Sequence, residues 1–326
     1  MSSNIRLDLA PILSCIDWHS GTSFSFRDEK FTCPSQAEAE TKLSDILYER
    51  CYIRRIDQSP PPVNSNGEYH DLLTEDLLTE LRAANIARSR WQTGWQIHTV
   101  HNSGWISAER DGLERSFAPG EFVTKEGPGM PLRRGGTAEV YFAVESLYMQ
   151  PGFYFAFGET IGEESDDACL VRFYWHLEPV GAPLLLRSVS TLLNRFKVPY
   201  RFKCLVHPAA YIRADAAVVF VPRRWYQIAA RLLGDAHRMV ASHIRWDVPL
   251  FTKPLAAGLG FAEDPGNGQS FGMHRCGVLA RAICGAAVTQ GSISIAEVER
   301  RLSAQGVSPW YPYLNAASVD IYEFAA

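Results

Sequence analysis

No stretch of this sequence approaches the ~20 consecutive apolar residues of a membrane-spanning helix. Cysteine is scattered rather than patterned. The seven residues, Cys15, Cys33, Cys51, Cys169, Cys204, Cys276 and Cys284, form an odd set. No CxxC or Cys/His pair at zinc spacing occurs among them. That fits reduced thiols in a cytosol better than a disulfide framework. The opening MSSNIRLDLAPILSCIDW lacks the basic start, apolar core and small-residue cleavage site of a secretory signal, so a cytoplasmic protein is expected. An excess of charge of one sign is missing too. Lys and Arg number 32 against 36 Asp and Glu, net −4, which argues against a general binder of nucleic acid or of acidic membrane. What remains is a chain of 326 residues, 46% hydrophobic and 21% charged, enough to bury a sizeable core.

Two helical patterns open the chain. Residues 37–53 place Leu43, Ile46, Leu47 and Tyr52 at helical spacing, and residues 71–89 place five leucines on one broad face. Between them SPPPVNSNGE (59–68) reads as a mobile loop, because its prolines exclude helix. From Trp91 to Gly158 the text turns to short aromatic runs split by Gly and Pro, which are consecutive strands and turns. Beyond Ala168, CLVRFYWHL, RFKCLV and AAVVFV read as strands. VSTLLNRF, WYQIAARLLGDAHRMV and HRCGVLARAICGAAV read as helices, and Ser294 with Glu297 makes a capping box for IAEVERRLSAQG. The fold expected is α+β: a largely antiparallel central sheet flanked by helices, with an N-terminal helical region. The expected division is a helical region over 1–90 and an α+β domain over 91–326.

Alternation places Arg172, Tyr174 and His176 on one face of VRFYWHL, and Arg201 and Lys203 on one face of YRFKCLV. A solvated sheet face explains such a row, but that explanation normally mixes signs of charge. No carboxylate alternates with these cations, so the row is also a candidate anion site. A second candidate is the glycine-rich stretch 258–281, GLGFAEDPGNGQSFGMHRCGVLAR. Read as an irregular loop feeding a helix, it suits an oxyanion at the helix start. It does not make a dinucleotide fingerprint, since the third glycine of GxGxxG is absent. His98 and His101 stand three apart with no third ligand at useful spacing, so exposed histidines account for them better than a metal.

Taken together, VPYRFKCLVHPAAYIRADAAVVFV (198–221), FAEDPGNGQSFGMHRC and VRFYWHL resemble the HopA-type type III effector family. They resemble equally its relatives, the HopA-like proteins of ribosomal-peptide biosynthetic clusters. PGFYFAFGE and PWYPYLN extend the likeness over about residues 90–315. Within class V lanthipeptide and thioamitide pathways, such proteins work beside a separate kinase that phosphorylates Ser or Thr of a precursor peptide. They then eliminate the phosphate to leave dehydroalanine or dehydrobutyrine. The family is in turn similar to phosphothreonine lyases, whose order of His, Lys, Arg and a later Arg is matched by His176, Lys203, Arg213 and Arg275, with Arg281 or Arg172 as alternatives for the last.

The resemblance therefore implies Lys203 as the base, if its pKa falls from ~10.4, and His176 as the acid. Arg213, Arg275, Arg172 and Arg201 would hold substrate, with Asp215 orienting Arg213. A phosphorylated precursor peptide and a peptide kinase are the implied partners, and neither metal nor organic cofactor is called for. A binding protein without catalysis, of effector or scaffold type, is the alternative.

Overall fold

A computed structural model describes residues 6–57, 74–124, 131–290 and 293–324. The expected loop at 59–68 lies outside these residues. One helical turn, α1 (Ala10–Leu13), leads into a small antiparallel sheet of β1 (Ile16–Ser20), β2 (Ser23–Phe26) and β3 (Glu29–Thr32). The sequence reading assigned no strands here. Its rungs are held by Phe24, which stacks between Trp18 and Phe31 at 5.4 and 5.3 Å. The expected helices follow as α2 (Gln36–Leu47) and α3 (Thr74–Ala84). Ser35 Oγ accepts the Glu38 N–H and so satisfies one of the free amides at the start of α2. At its far end α2 loosens into a π-turn over Tyr48–Tyr52.

A five-stranded antiparallel sheet comes next: β4 (Arg90–Val100), β5 (Ile106–Arg110), β6 (Leu113–Phe117), β7 (Phe122–Thr124) and β8 (Thr137–Phe142), in the order β6-β5-β4-β8-β7. It buries a core of its own around Trp95, Ile106, Phe117 and Val140. The largest sheet has seven strands, all paired antiparallel, in the order β14-β15-β11-β13-β12-β10-β9. In chain order these are β9 (Glu145–Ser146), β10 (Phe153–Phe157), β11 (Leu170–Trp175), β12 (Arg201–Leu205), β13 (Ala217–Pro222), β14 (Lys253–Ala256) and β15 (Leu259–Glu263). Helix α4 (Gly181–Arg195) falls between β11 and β12, and α5 (Tyr226–Met239) follows β13. Helices α6 (Phe271–Gln290) and α7 (Ile295–Ala304) close the chain. The architecture is α+β, with the N-terminal helices built into the same core as the large sheet.

Period-two alternation splits this sheet into two faces. Phe173 stacks on Tyr226 of α5 at 5.8 Å, and the Trp175 Nε1–H donates to His237 Nδ1. The opposite face carries Arg172 and Tyr174, and the Tyr174 ring lies 6.2 Å from Phe271 at the start of α6. Helices α2 and α6 pack on each other, so the sheet lies between helical layers. The cationic row is thus not a solvated face, because the α6 layer covers it. GLGFAED, read from sequence as part of a loop, is mostly strand β15. Both its neighbours are strands and both its faces are covered, which explains its unbroken burial.

Gly258 turns the chain from β14 into β15 with φ +60°, and a Cβ there would stand 1.9 Å from the Arg245 carbonyl oxygen. Gly258→Ala is therefore expected to cost about 3 kcal/mol or more, from left-handed strain plus overpacking. A lower urea midpoint at unchanged slope is the measurement that checks it.

Candidate active site

Register brings the cations together. Arg201 of β12 pairs with Phe220 of β13, which pairs with Arg172 of β11. One rung along, Lys203 pairs with Val218 and Val218 with Tyr174. After β12 a short 3-10 turn, Pro208–Ile212, is pinned by the Tyr211 hydroxyl donating to the Leu205 carbonyl at 2.7 Å. The Ala214 N–H then donates to Ile53 O at 2.6 Å, tying the segment to the end of the π-turn. This fixes Arg213 and Asp215 over the same sheet face.

The result is a pocket of about 320 Å3. Its floor is Arg172, Tyr174, Lys203, Val218 and Phe220; Arg213 and Asp215 form one wall, and Tyr48 and Tyr52 close it. The first turn of α6, from Ser270 to Met273, forms the opposite wall. Ser270 Oγ accepts the Met273 N–H at 3.2 Å, at the positive end of the helix. Gly272 is required there, since a Cβ would come within 2.3 Å of the Tyr52 ring.

Three cations, Arg172, Lys203 and Arg213, line this space with a single carboxylate, Asp215. Arg213 grips Asp215 in a two-pronged pair, Nε to Oδ1 at 2.8 Å and Nη2 to Oδ2 at 3.0 Å, and its Nη2 also donates to the Tyr48 hydroxyl. Burial works to raise the Asp215 pKa, but Arg213 beside it and Lys203 beyond hold it below the ordinary value. Arg172 Nε donates to Asp264 at 2.7 Å, and Arg172 Nη2 to the Gln269 carbonyl at 3.2 Å.

Lys203 is the distinctive group. Its Nζ donates to Gln150 Oε1 at 2.6 Å and sits 3.8 Å above the Phe153 ring. Burial lowers its pKa to about 8. Asp215 opposes the fall, while Arg213, Arg172 and Arg201 deepen it. The Tyr174 hydroxyl is buried in the pocket floor beside Arg172 and Tyr52.

Three residues expected at this site stand elsewhere. His176 shares the face of Arg172 and Tyr174 but lies one rung further on and is only 3% exposed. Its Nδ1–H donates to the Asp247 carbonyl at 3.2 Å. Burial first, and Arg245 next, lower its pKa, which is the wrong direction for a proton donor. Arg275 is 2% exposed and is consumed by the chain's last segment. It donates to Pro312 O at 2.8 Å, to Leu314 O at 2.7 Å and to Asn315 Oδ1 at 3.3 Å. Its alternative, Arg281, donates to Gln305. Arg201 stacks on Phe220 at 4.7 Å, while Arg172 lies 5.1 Å from the same ring. The Arg201 guanidinium lines a neighbouring recess instead. His98 and His101 do not converge on a metal: His98 meets Glu114 and His101 meets Ser107.

Residues 144–314 match the model of the HopA1 effector protein family. The chain belongs to that family. Two solved structures are similar to it, effector proteins of Pseudomonas syringae pv. tomato strain DC3000 and P. syringae pv. syringae strain 61. The first is 17% identical with a TM-score of 0.48, covering 86% of this chain and 96% of that one. The second is 16% identical with a TM-score of 0.45, covering 86% and 97%. No curated protein matches the chain. The pocket residues from Gln150 to Met273 fall inside the HopA1 span, whereas Tyr48 and Tyr52 fall outside it.

Sequence reasoning missed Tyr48, Tyr52 and Gln150. The two tyrosines repeat at i and i+4 and read as ordinary helix-face residues. Only the π-turn, a geometry frequent at functional sites, marks them.

Arg275→Met should cost on the order of 2–4 kcal/mol in urea unfolding, because it strands buried carbonyls of residues 312–314. A phosphate-gripping Arg275 would instead leave stability nearly unchanged and weaken phosphopeptide affinity.

Proposed function

We propose that this protein is a phosphoserine/phosphothreonine lyase acting on a peptide that a separate kinase has phosphorylated, within ribosomal-peptide biosynthesis. The observation that carries this reading is Lys203, an amine whose pKa lies at about 8 in a pocket of three cations and one carboxylate. Membership of the HopA1 family agrees with it but does not by itself specify the chemistry.

The steps balance without His176. Neutral Lys203 takes the Cα proton of the phosphorylated residue, and that C–H pair becomes the Cα=Cβ bond. The Cβ–O bond breaks, and the phosphate leaves with its electrons. The proton held on Lys203 returns to the departing phosphate, directly or through water, giving a dehydroamino acid and hydrogen phosphate. The guanidinium groups of Arg172 and Arg213, with the first turn of α6, stabilise the charge that grows on the leaving group. Asp215 fixes the guanidinium of Arg213 and leaves Lys203 as the group that titrates near neutral pH.

A binding module without catalysis would use the same arginines but would not need an amine of lowered pKa. Mass spectrometry separates the two. A phosphoserine peptide incubated with the protein should lose one H3PO4, and Lys203→Ala should abolish the loss. A peptide that binds but keeps its phosphate overturns the lyase reading. The active form of Lys203 is the unprotonated amine, so kcat/KM should climb about tenfold per pH unit below about 8 and level off above it. A profile flat from pH 6 to 9 removes Lys203 as the base.

A further inference from the structure

Beside the phosphate pocket lies a larger recess of about 490 Å3, where the five-stranded sheet meets the seven-stranded one. Phe117 and Phe142 come from the first sheet, Gly158 and Arg201 from the side of the second. Phe220 belongs to both spaces: it lines the recess and the phosphate pocket alike. One aromatic ring thus separates them, with Arg172 on the pocket side and Arg201 on the recess side, 5.1 and 4.7 Å from its centroid.

Charge in the recess is otherwise settled. Arg115 pairs with Asp167 at 2.7 Å, Asp166 with Arg224 at 2.8 Å, and Glu121 accepts the Ala118 N–H. Arg201 is the exception. Among the described residues its guanidinium makes no hydrogen bond or ion pair, and its Nε is buried without a partner. The Nη groups, which line the recess and hold no acceptor among the described residues, are the donors open to a group from outside. The carboxylates lining the recess, Glu121, Asp166 and Asp167, outnumber its arginines, so a second anion is disfavoured. A neutral acceptor between aromatic walls fits better.

We infer that the recess holds the substrate peptide on one side of its phosphorylated residue, a main-chain carbonyl accepting from Arg201 and an apolar side chain resting against Phe117 and Phe142. Arg201 stands two residues along β12 from Lys203, about 7 Å. An extended peptide at about 3.3 Å per residue covers that in two to three residues. The recess therefore reads the flank two or three positions from the reacting centre and sets which phosphorylated residues of a peptide are taken.

This inference rests on the pocket being a phosphopeptide site, and the test separates the two. The probe is a peptide carrying a phosphonate in place of the phosphoserine ester, which binds without eliminating. It is shortened stepwise from either end, and binding is read by fluorescence anisotropy. Shortening one flank below about three residues should weaken binding at least tenfold, while shortening the other should not. In Arg201→Met, which keeps the stem on Phe220 but removes the donor, that flank dependence should collapse to about onefold; Arg201→Lys should restore part of it. A thermal melt of each variant checks folding.

Equal dependence on both flanks, none on either, or a dependence that survives Arg201→Met overturns the recess as a peptide site. Flank-dependent binding without elimination from the parent phosphopeptide leaves the recess standing and removes the lyase. Elimination without flank dependence does the reverse. No binding of any probe overturns both.

Discussion

The pairing of Arg213 with Asp215 is the constraint on which the candidate site depends. Three cations share a sheet face that a helical layer covers, and mutual repulsion in such a place would be severe. Two unit charges 4 Å apart interact by about 4 kcal/mol at an effective dielectric of 20. One carboxylate, held two-pronged by Arg213, relieves part of this and leaves the rest. The remainder falls on Lys203, where it adds to the larger effect of burial. Its pKa, brought from 10.5 to about 8, corresponds to roughly 3 kcal/mol set against the charged form. Arginine cannot yield in that way, so of the three cations Lys203 is the one that loses its charge most readily.

The geometry of the covering layer matters as much as its charge. Helix α6 begins directly over the cations, and Gly272 lets it come close enough for Tyr52 to form the lid. The start of a twenty-residue helix adds positive potential where the side chains are already positive. Sheet, loop and helix therefore point the same sign of charge at one small volume. That convergence is better explained by an anionic ligand than by stability.

Much of this was legible in the sequence, for reasons that also mark its limits. Strict alternation in VRFYWHL and RFKCLV identified the polar face, since period two is a property of the backbone. Alternation gives the face but not the rung, and so it could not place His176 beyond the pocket or Arg201 behind Phe220. Arg213 and Asp215 were legible as a pair from their nearness in sequence, although a bend and turn over 213–216, not an extended segment, brings them together. Arg275 was not, because its partners lie 37 to 40 residues downstream and no local pattern announces them. The sheet of β1–β3 was hidden by short, polar-rich strands whose burial rests on Phe24 and Phe26.

The hydrogen bond from Arg213 to Tyr48 spans 165 residues of chain. Contacts of such separation form late, after the entropy of closing long loops has been overcome. Until α2 and its π-turn dock against the sheet, the pocket around Lys203 lacks the tyrosines that close it. On the lyase reading, an incompletely folded chain is thus chemically silent. On that reading the base comes into being only when the two distant parts of the sequence meet, so assembly of the fold is itself the step that arms the site.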